Sequence, residues 1–154
     1  MFSMPEEESV SSSWTRCHDT STFHLSEPHG GEAGPLIESS AGNRWVLTMI
    51  DCFTRWPVAI PIPNRESKLI GECIYKEWIC HKGIPTNIIS DQGRELVSKS
   101  ITAMCQKFGI QKIQTSGYSA SVERFHRYFL ASLSILFNRT GCEWDECVSS
   151  VLFA

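Results

Sequence analysis

Three carboxylates stand where a folded chain could gather them. Asp51 ends the apolar run RWVLTMID (44–51), Asp91 ends TNIISD (86–91), and Glu123 lies among aromatics and arginines in SVERFHRYF (121–129). Strand-end carboxylates brought to one edge of a sheet can hold divalent ions. Two such ions about 3.5–4 Å apart activate a water or hydroxyl and stabilise the leaving oxygen in phosphoryl transfer. Hard, phosphate-binding Mg²⁺ asks for oxygen ligands, so Asp and Glu are the right residue types. Each acid also has a purely structural alternative. Asp51 before Cys52-Phe53-Thr54 suits a hairpin turn, and Asp91 before Gln92-Gly93 suits a turn start. Glu123 suits a local pair with Arg127 at i+4, or the helix N-terminus.

The elements that would position these acids follow from periodicity. RWVLTMID and TRWPVAIPI (54–62) predict two strands, with Pro57 and Pro61 pushing the second to a sheet edge. Ile70, Ile74 and Trp78 share one helical face over 66–83, with Gly83 as the stop. TNIISD predicts a short buried strand. Val97, Ile101, Met104, Cys105 and Phe108 form an amphipathic stripe over 94–109 that Gly109 closes. IQKIQTS (110–116) is a brief strand. A helix over 121–138 turns Val122, Phe125, Phe129, Leu133 and Leu136 inward, and Trp144, Cys147, Val148 and Val151 repeat the pattern in the last segment. The order defines an α/β fold with a mixed sheet. On the 121–138 helix, His126 and Arg127 follow Glu123 at i+3 and i+4, which places all three on one face. Exposed there, with Arg124 beside them, they suit phosphate contacts; a solvated face with a Glu–Arg pair is the alternative. Tyr118 suits stacking on a base or a place at the core edge.

At 154 residues and 17.4 kDa the chain is one domain with appendages. No apolar run approaches 18 residues, which excludes a helical membrane span. The acidic, Ser-rich start is no signal peptide, so a reducing, intracellular setting and free thiols are expected for the seven cysteines. Residues 1–43 hold seven acids and one base, whereas 96–142 holds one acid (Glu123) against six bases. That imbalance permits a polyanionic partner. Residues 1–43 have no sustained apolar period and predict poor order. Cys17, His18, His24 and His29 are zinc-ligand types, but their spacing matches no two-pair site.

Taken together, GNRWVLTMIDCFTRWPVAIPI, GIPTNIISDQGREL and TSGY with VERFHR resemble, in order, the catalytic core of integrases from retroviruses and gypsy-type LTR retrotransposons. The resemblance starts near Gly34 and sets a core-like domain at 34–154 behind a poorly ordered acidic segment at 1–33. It implies a ribonuclease H-like fold, an Asp, Asp, Glu triad binding two Mg²⁺ (or Mn²⁺), and joining of DNA ends to a target. It makes Asp91 the second triad acid and Glu123 the third, both metal ligands, and it places Tyr118, Arg124, His126 and Arg127 against nucleic acid. Asp51 falls in the family's D-x-F-T-R/K motif and is structural. The first triad acid belongs to a pattern like H-x-D-x-x-G-P-L. Here that stretch is HGGEAGPL (29–36), so Gly31 stands where the Asp belongs. Glu32 is one residue out of phase, and a one-residue shift turns a strand side chain to the other face. The preceding HLSEPHGG contains Pro28 and two glycines, so an incomplete first strand is expected. Tyr118 reaches Val122 through only three residues, about four fewer than the family's loop, and the chain stops mid-pattern at Ala154. The resemblance implies DNA as partner, no membrane, a homo-oligomer and a nuclear site of action, with chemistry impaired by the lost ligand.

Overall fold

The computed structural model describes residues 22–26, 36–90, 97–114 and 120–153, with 22–26 and 120–123 described by backbone alone. In chain order the elements are β1 (Thr22–Ser26), β2 (Trp45–Asp51), β3 (Pro57–Ile62) and α1 (Ser67–Cys73). A π-helical segment (Ile74–Ile79) continues α1 into α2 (Cys80–Lys82), followed by β4 (Asn87–Ser90), α3 (Lys99–Phe108), β5 (Gln111–Gln114), α4 (Ala120–Thr140) and α5 (Trp144–Leu152). The strands form one sheet in the order β3-β2-β1-β4-β5. β1, β2 and β3 pair antiparallel; β4 runs parallel to β1, and β5 parallel to β4.

β2 is buried from Val46 to Ile50. A strand covered on both faces has no polar side to show, which is why its buried run is apolar apart from Thr48. Leu47 and Met49 pack under Ile70, Ile74 and Trp78 of the first helical stretch and Ile101 and Cys105 of α3. Val46, facing the opposite way by strand alternation, packs under Phe129 and Leu133 of α4 and Trp144, Cys147 and Val148 of α5. The sheet is thus the middle of three layers. β3 is an edge strand, as its prolines require: Pro57 and Pro61 pair with Ile50 and Val46.

Two local expectations need correction. The sheet starts upstream of residue 34, because Thr22–Ser26 is a strand with hydrogen-bonded neighbours on both sides. TFHLS includes the strand formers Thr and Phe and lies ahead of Pro28, whereas the stretch through Gly31 contains that proline and two glycines. Residues 1–21 and 27–35, including Cys17, His18, His29, Gly31 and Glu32, lie outside the described residues. α3 begins at Lys99, behind an N-cap in which the Ser98 side chain accepts from Ile101 N. Val97 therefore precedes the helix and is 44% exposed, outside the apolar stripe. The two glycine stops hold, Gly83 at φ +91° and Gly109 at φ +66°. At Gly109 the Ile110 N–H reaches back to Cys105 O, closing the last turn.

The approach to β2 is tied to α5. Ser39 Oγ donates to Asp145 Oδ2 at 2.6 Å and Asn43 Nδ2 donates to the same oxygen at 2.9 Å, while Trp144 Nε1 donates to Ile37 O at 2.7 Å. Partial burial pushes the Asp145 carboxyl up, but hydrogen bonds from Ser39, Asn43 and backbone N–H groups outweigh it and hold it below its ordinary value. A carboxyl depressed in the folded state stabilises fully above its unfolded value and loses that contribution as pH falls through the folded one. The unmodified chain should therefore lose more stability than Asp145→Asn between about pH 5 and about pH 3, measured by urea unfolding at each pH.

Candidate functional site

The site is assembled at one end of the sheet by register. β4 ends at Ser90, and Leu25 of β1 is its partner in the parallel pair. On its other side β1 pairs Ser26 with Thr48 of β2. Thr48 is 1% exposed, and its Oγ1 shares a hydrogen bond with Nε2 of His126 on α4. Glu123 precedes His126 by three residues, about 4.5 Å along the helix axis. Backbone geometry therefore brings the C-terminal ends of β1 and β4 to the early turns of α4. Asp91 follows Ser90 directly, but residues 91–96 lie outside the described residues, as do Tyr118 and the loop before α4. Nothing is described of the Glu123 side chain. The sequence expectation for these three stays an expectation.

Asp51 does not belong to this end. It pairs with Phe23, which pairs with Ile88, three residues short of Asp91 and two strands away. That offset is about 10 Å along the strand and about 10 Å across it, too far to share an ion held at about 2.0–2.1 Å. Its carboxylate is engaged in its own turn, accepting from Phe53 N at 3.2 Å, Thr54 N at 3.3 Å and Thr54 Oγ1 at 2.6 Å. Arg55 takes a positive φ of 64° to complete the turn into β3. Of the two alternatives open for Asp51, the hairpin turn is the one found.

His126 differs from expectation. It is half-buried against the sheet through Thr48 and beside Phe125, with ring centroids 6.0 Å apart. Helical spacing gave its position relative to Glu123 but not its neighbour, which is 78 residues away in sequence. Arg124 and Arg127 are exposed on the same helix. The remaining bases of 96–142 do not form one stripe: Lys99 and Lys107 ride on α3, across the sheet from α4. Ser90, fully buried, has a hydroxyl without a hydrogen-bond partner among the described residues. No sequence signal marked Thr48 or Ser90, because both lie inside apolar strands.

A mixed sheet between two helical layers, in the strand order β3-β2-β1-β4-β5, defines a ribonuclease H-like α/β core. The model for the integrase core domain matches residues 13–120, and the chain belongs to that family. The match begins ahead of residue 34, in keeping with the position of β1. The retrovirus-related Pol polyprotein from transposon 412 of Drosophila melanogaster is 30% identical over 116 residues, 73% of this chain and 9% of that protein. The gypsy retrotransposon integrase-like protein 1 of Homo sapiens is 28% identical over 124 residues, 79% of this chain and 24% of that protein. This chain thus spans a quarter or less of either relative. Among solved structures, the HTLV-2 integrase catalytic core domain in complex with magnesium superposes with a TM-score of 0.69 at 14% identity, covering 87% of this chain and 83% of that one. A chain of the simian T-cell lymphotropic virus intasome in complex with PP2A regulatory subunit B56 gamma gives 0.71 at 17% identity, covering 87% of this chain and 47% of that one.

Family membership implies divalent metal, and the described residues beside β4 do not complete a site for it. A two-ion site at this edge needs a carboxylate from the strand beside β4 as well as Asp91 and Glu123. That strand is TFHLS, which has none. Among the described residues, which include neither Asp91 nor the side chain of Glu123, no group of three or more His, Cys, Asp or Glu could hold an ion.

The contrast between the two hydroxyls at this end is testable by urea unfolding. Thr48→Val removes a bonded buried hydroxyl and should cost about 1 kcal/mol or more. Ser90→Ala removes one with no partner among the described residues and should be neutral or stabilising. Equal losses for both would show that the hydrogen bond to His126 contributes nothing.

Proposed function

We propose that this chain is a DNA-binding integrase core whose strand-transfer chemistry is disabled. The observation that carries the reading is the make-up of β1: the strand beside β4 brings no carboxylate to the edge where Asp91 and Glu123 would act. Two acids can hold one Mg²⁺ or Mn²⁺ among its waters, but the pair of ions that in-line phosphoryl transfer uses needs a further carboxylate between them. DNA binding is supported by exposed Arg124 and Arg127 on α4, close to that edge. With His126 engaged by Thr48, phosphate contact falls to these two arginines and the aromatic contact to Tyr118. Exposed Tyr128 and Ile135, seven residues apart on α4, support self-association. Among the described residues no helix is long and apolar enough to cross a membrane. Action on DNA would place the protein in the nucleus.

The retention of both Asp91 and Glu123 favours a second reading, a working strand transferase. A Mn²⁺-dependent strand-transfer assay on a labelled duplex separates the two. The unmodified chain should give no product; product that disappears in Asp91→Asn would sink the silent reading. DNA binding is tested separately by fluorescence anisotropy across a salt series. Arg124→Gln with Arg127→Gln should weaken binding to all sequences alike. It should also flatten the salt dependence by about 0.9 in log–log slope for each phosphate no longer neutralised. An unchanged slope would remove α4 from the interface.

A further inference from the structure

We propose that Cys142 and Cys147, at the turn between α4 and α5, form a reversible disulfide, which makes this turn a modification site for low-molecular-weight disulfides. It lies at the opposite end of the 21-residue α4 from Glu123, about 25 Å along the helix axis. Gly141, at φ +66°, turns the chain out of α4. Glu143 then takes an extended N-cap conformation, φ −60° and ψ 141°, ahead of α5. Cys142 is thus the residue before the cap and Cys147 the fourth residue of the helix. Those are the two positions whose side chains fold onto each other as a staple. Thr140 holds both cysteines. Its hydroxyl has one hydrogen, which it donates to Leu136 O at 2.8 Å. The same oxygen accepts from Cys142 N at 3.3 Å and stands 4.0 Å from Cys147 Sγ, where the thiol is therefore the donor.

The two sulfurs differ in access. Cys142 is exposed, whereas Cys147 is 4% exposed and packs with Val46, Phe129 and Trp144. A reagent from solvent meets Cys142 first, and Cys147 is reached through it. Of the other described cysteines, Cys73 and Cys105 pack on the opposite side of the sheet, and Cys52 and Cys80 lie in the turn after β2 and in α2. Cys147 is thus the thiol placed to resolve an adduct on Cys142. In the first step the Cys142 thiolate attacks one sulfur of the reagent; its S–S bond breaks and one reagent thiolate leaves. In the second the Cys147 thiolate attacks the Cys142 sulfur, the mixed disulfide breaks and the second reagent thiolate leaves. Two electrons pass from the pair to the reagent, and the two cysteine protons end on the two departing thiols. Excess reagent thiol reverses both steps.

Residues 140–154 follow Arg139 and contain no Lys or Arg, so one tryptic peptide carries both cysteines. The whole chain is equilibrated with oxidised and reduced glutathione, quenched in acid, alkylated and digested. That peptide should appear unalkylated and lighter by two hydrogens. Its disulfide-to-dithiol ratio should be on the order of tenfold higher in the folded chain than in urea at the same glutathione ratio. A ratio no higher than in urea overturns the proposal, and so does glutathione retained on Cys142 of the unmodified chain with no internal disulfide. Two variants, each checked for a cooperative melt, test the order of attack. Cys147→Ser should trap glutathione on Cys142, and Cys142→Ser should leave Cys147 unmodified. Glutathione on Cys147 of a folded Cys142→Ser chain overturns the assigned roles.

Discussion

Among the described residues, β1 joins two units that otherwise share no hydrogen bonds within the sheet. On one side is the antiparallel hairpin of β2 and β3; on the other is the parallel pair of β4 and β5. Among the described residues, the five of β1 connect them. A strand in that place must satisfy amides on both of its edges, since buried unpaired N–H and C=O groups are costly. The choice of segment is therefore made by hydrogen-bonding capacity more than by side-chain chemistry. TFHLS can pair throughout; a segment containing Pro28 cannot. On the proposed reading, the same constraint that completes the sheet also sets a carboxylate-free stretch at the edge where an acid would be needed.

Placement of α4 depends on that sheet in turn. Its lower face is apolar where Phe129 and Leu133 meet Val46, and polar at one point, where His126 meets Thr48. An apolar contact is non-directional and would tolerate rotation or sliding of the helix. A hydrogen bond between a ring nitrogen and a buried hydroxyl tolerates little of either. Thr48 thus sets where the first turns of α4 fall, and with them Glu123. The tether from Ser39 and Asn43 to Asp145, with Trp144 on Ile37, does the same for α5.

Much of this was legible from residue spacing. The unbroken apolar run of β2, the prolines of edge strand β3, the Ile70, Ile74 and Trp78 face, and the glycine stops all have local causes, so local sequence reveals them. The motif order likewise gave the family. What escaped depends on distant partners. β1 is five residues of mixed polarity, and nothing inside TFHLS says that two strands will flank it. Spacing on the helical wheel set His126 beside Glu123 and read it as exposed; its partner Thr48 sits inside a strand whose sequence is otherwise a near-unbroken apolar run. Asp51 had two readings by residue type alone; the family motif made it structural, and its carboxylate is engaged in its own turn.

On the proposed reading, losing the β1 acid has a physical consequence for what survives. Carboxylates gathered at one sheet edge repel one another whenever no ion is present, and each like charge nearby disfavours ionisation of the next. A strand that contributes none leaves a less crowded edge, so the fold gains from the loss that chemistry suffers. Nothing in that exchange touches the outer face of α4, where Arg124 and Arg127 stand. Their attraction for phosphate needs neither the metal nor the precise placement that in-line attack demands, only charge within reach of the backbone. Binding is therefore the part of an integrase core that should outlast its catalysis, and the order of loss follows from how exacting each task is.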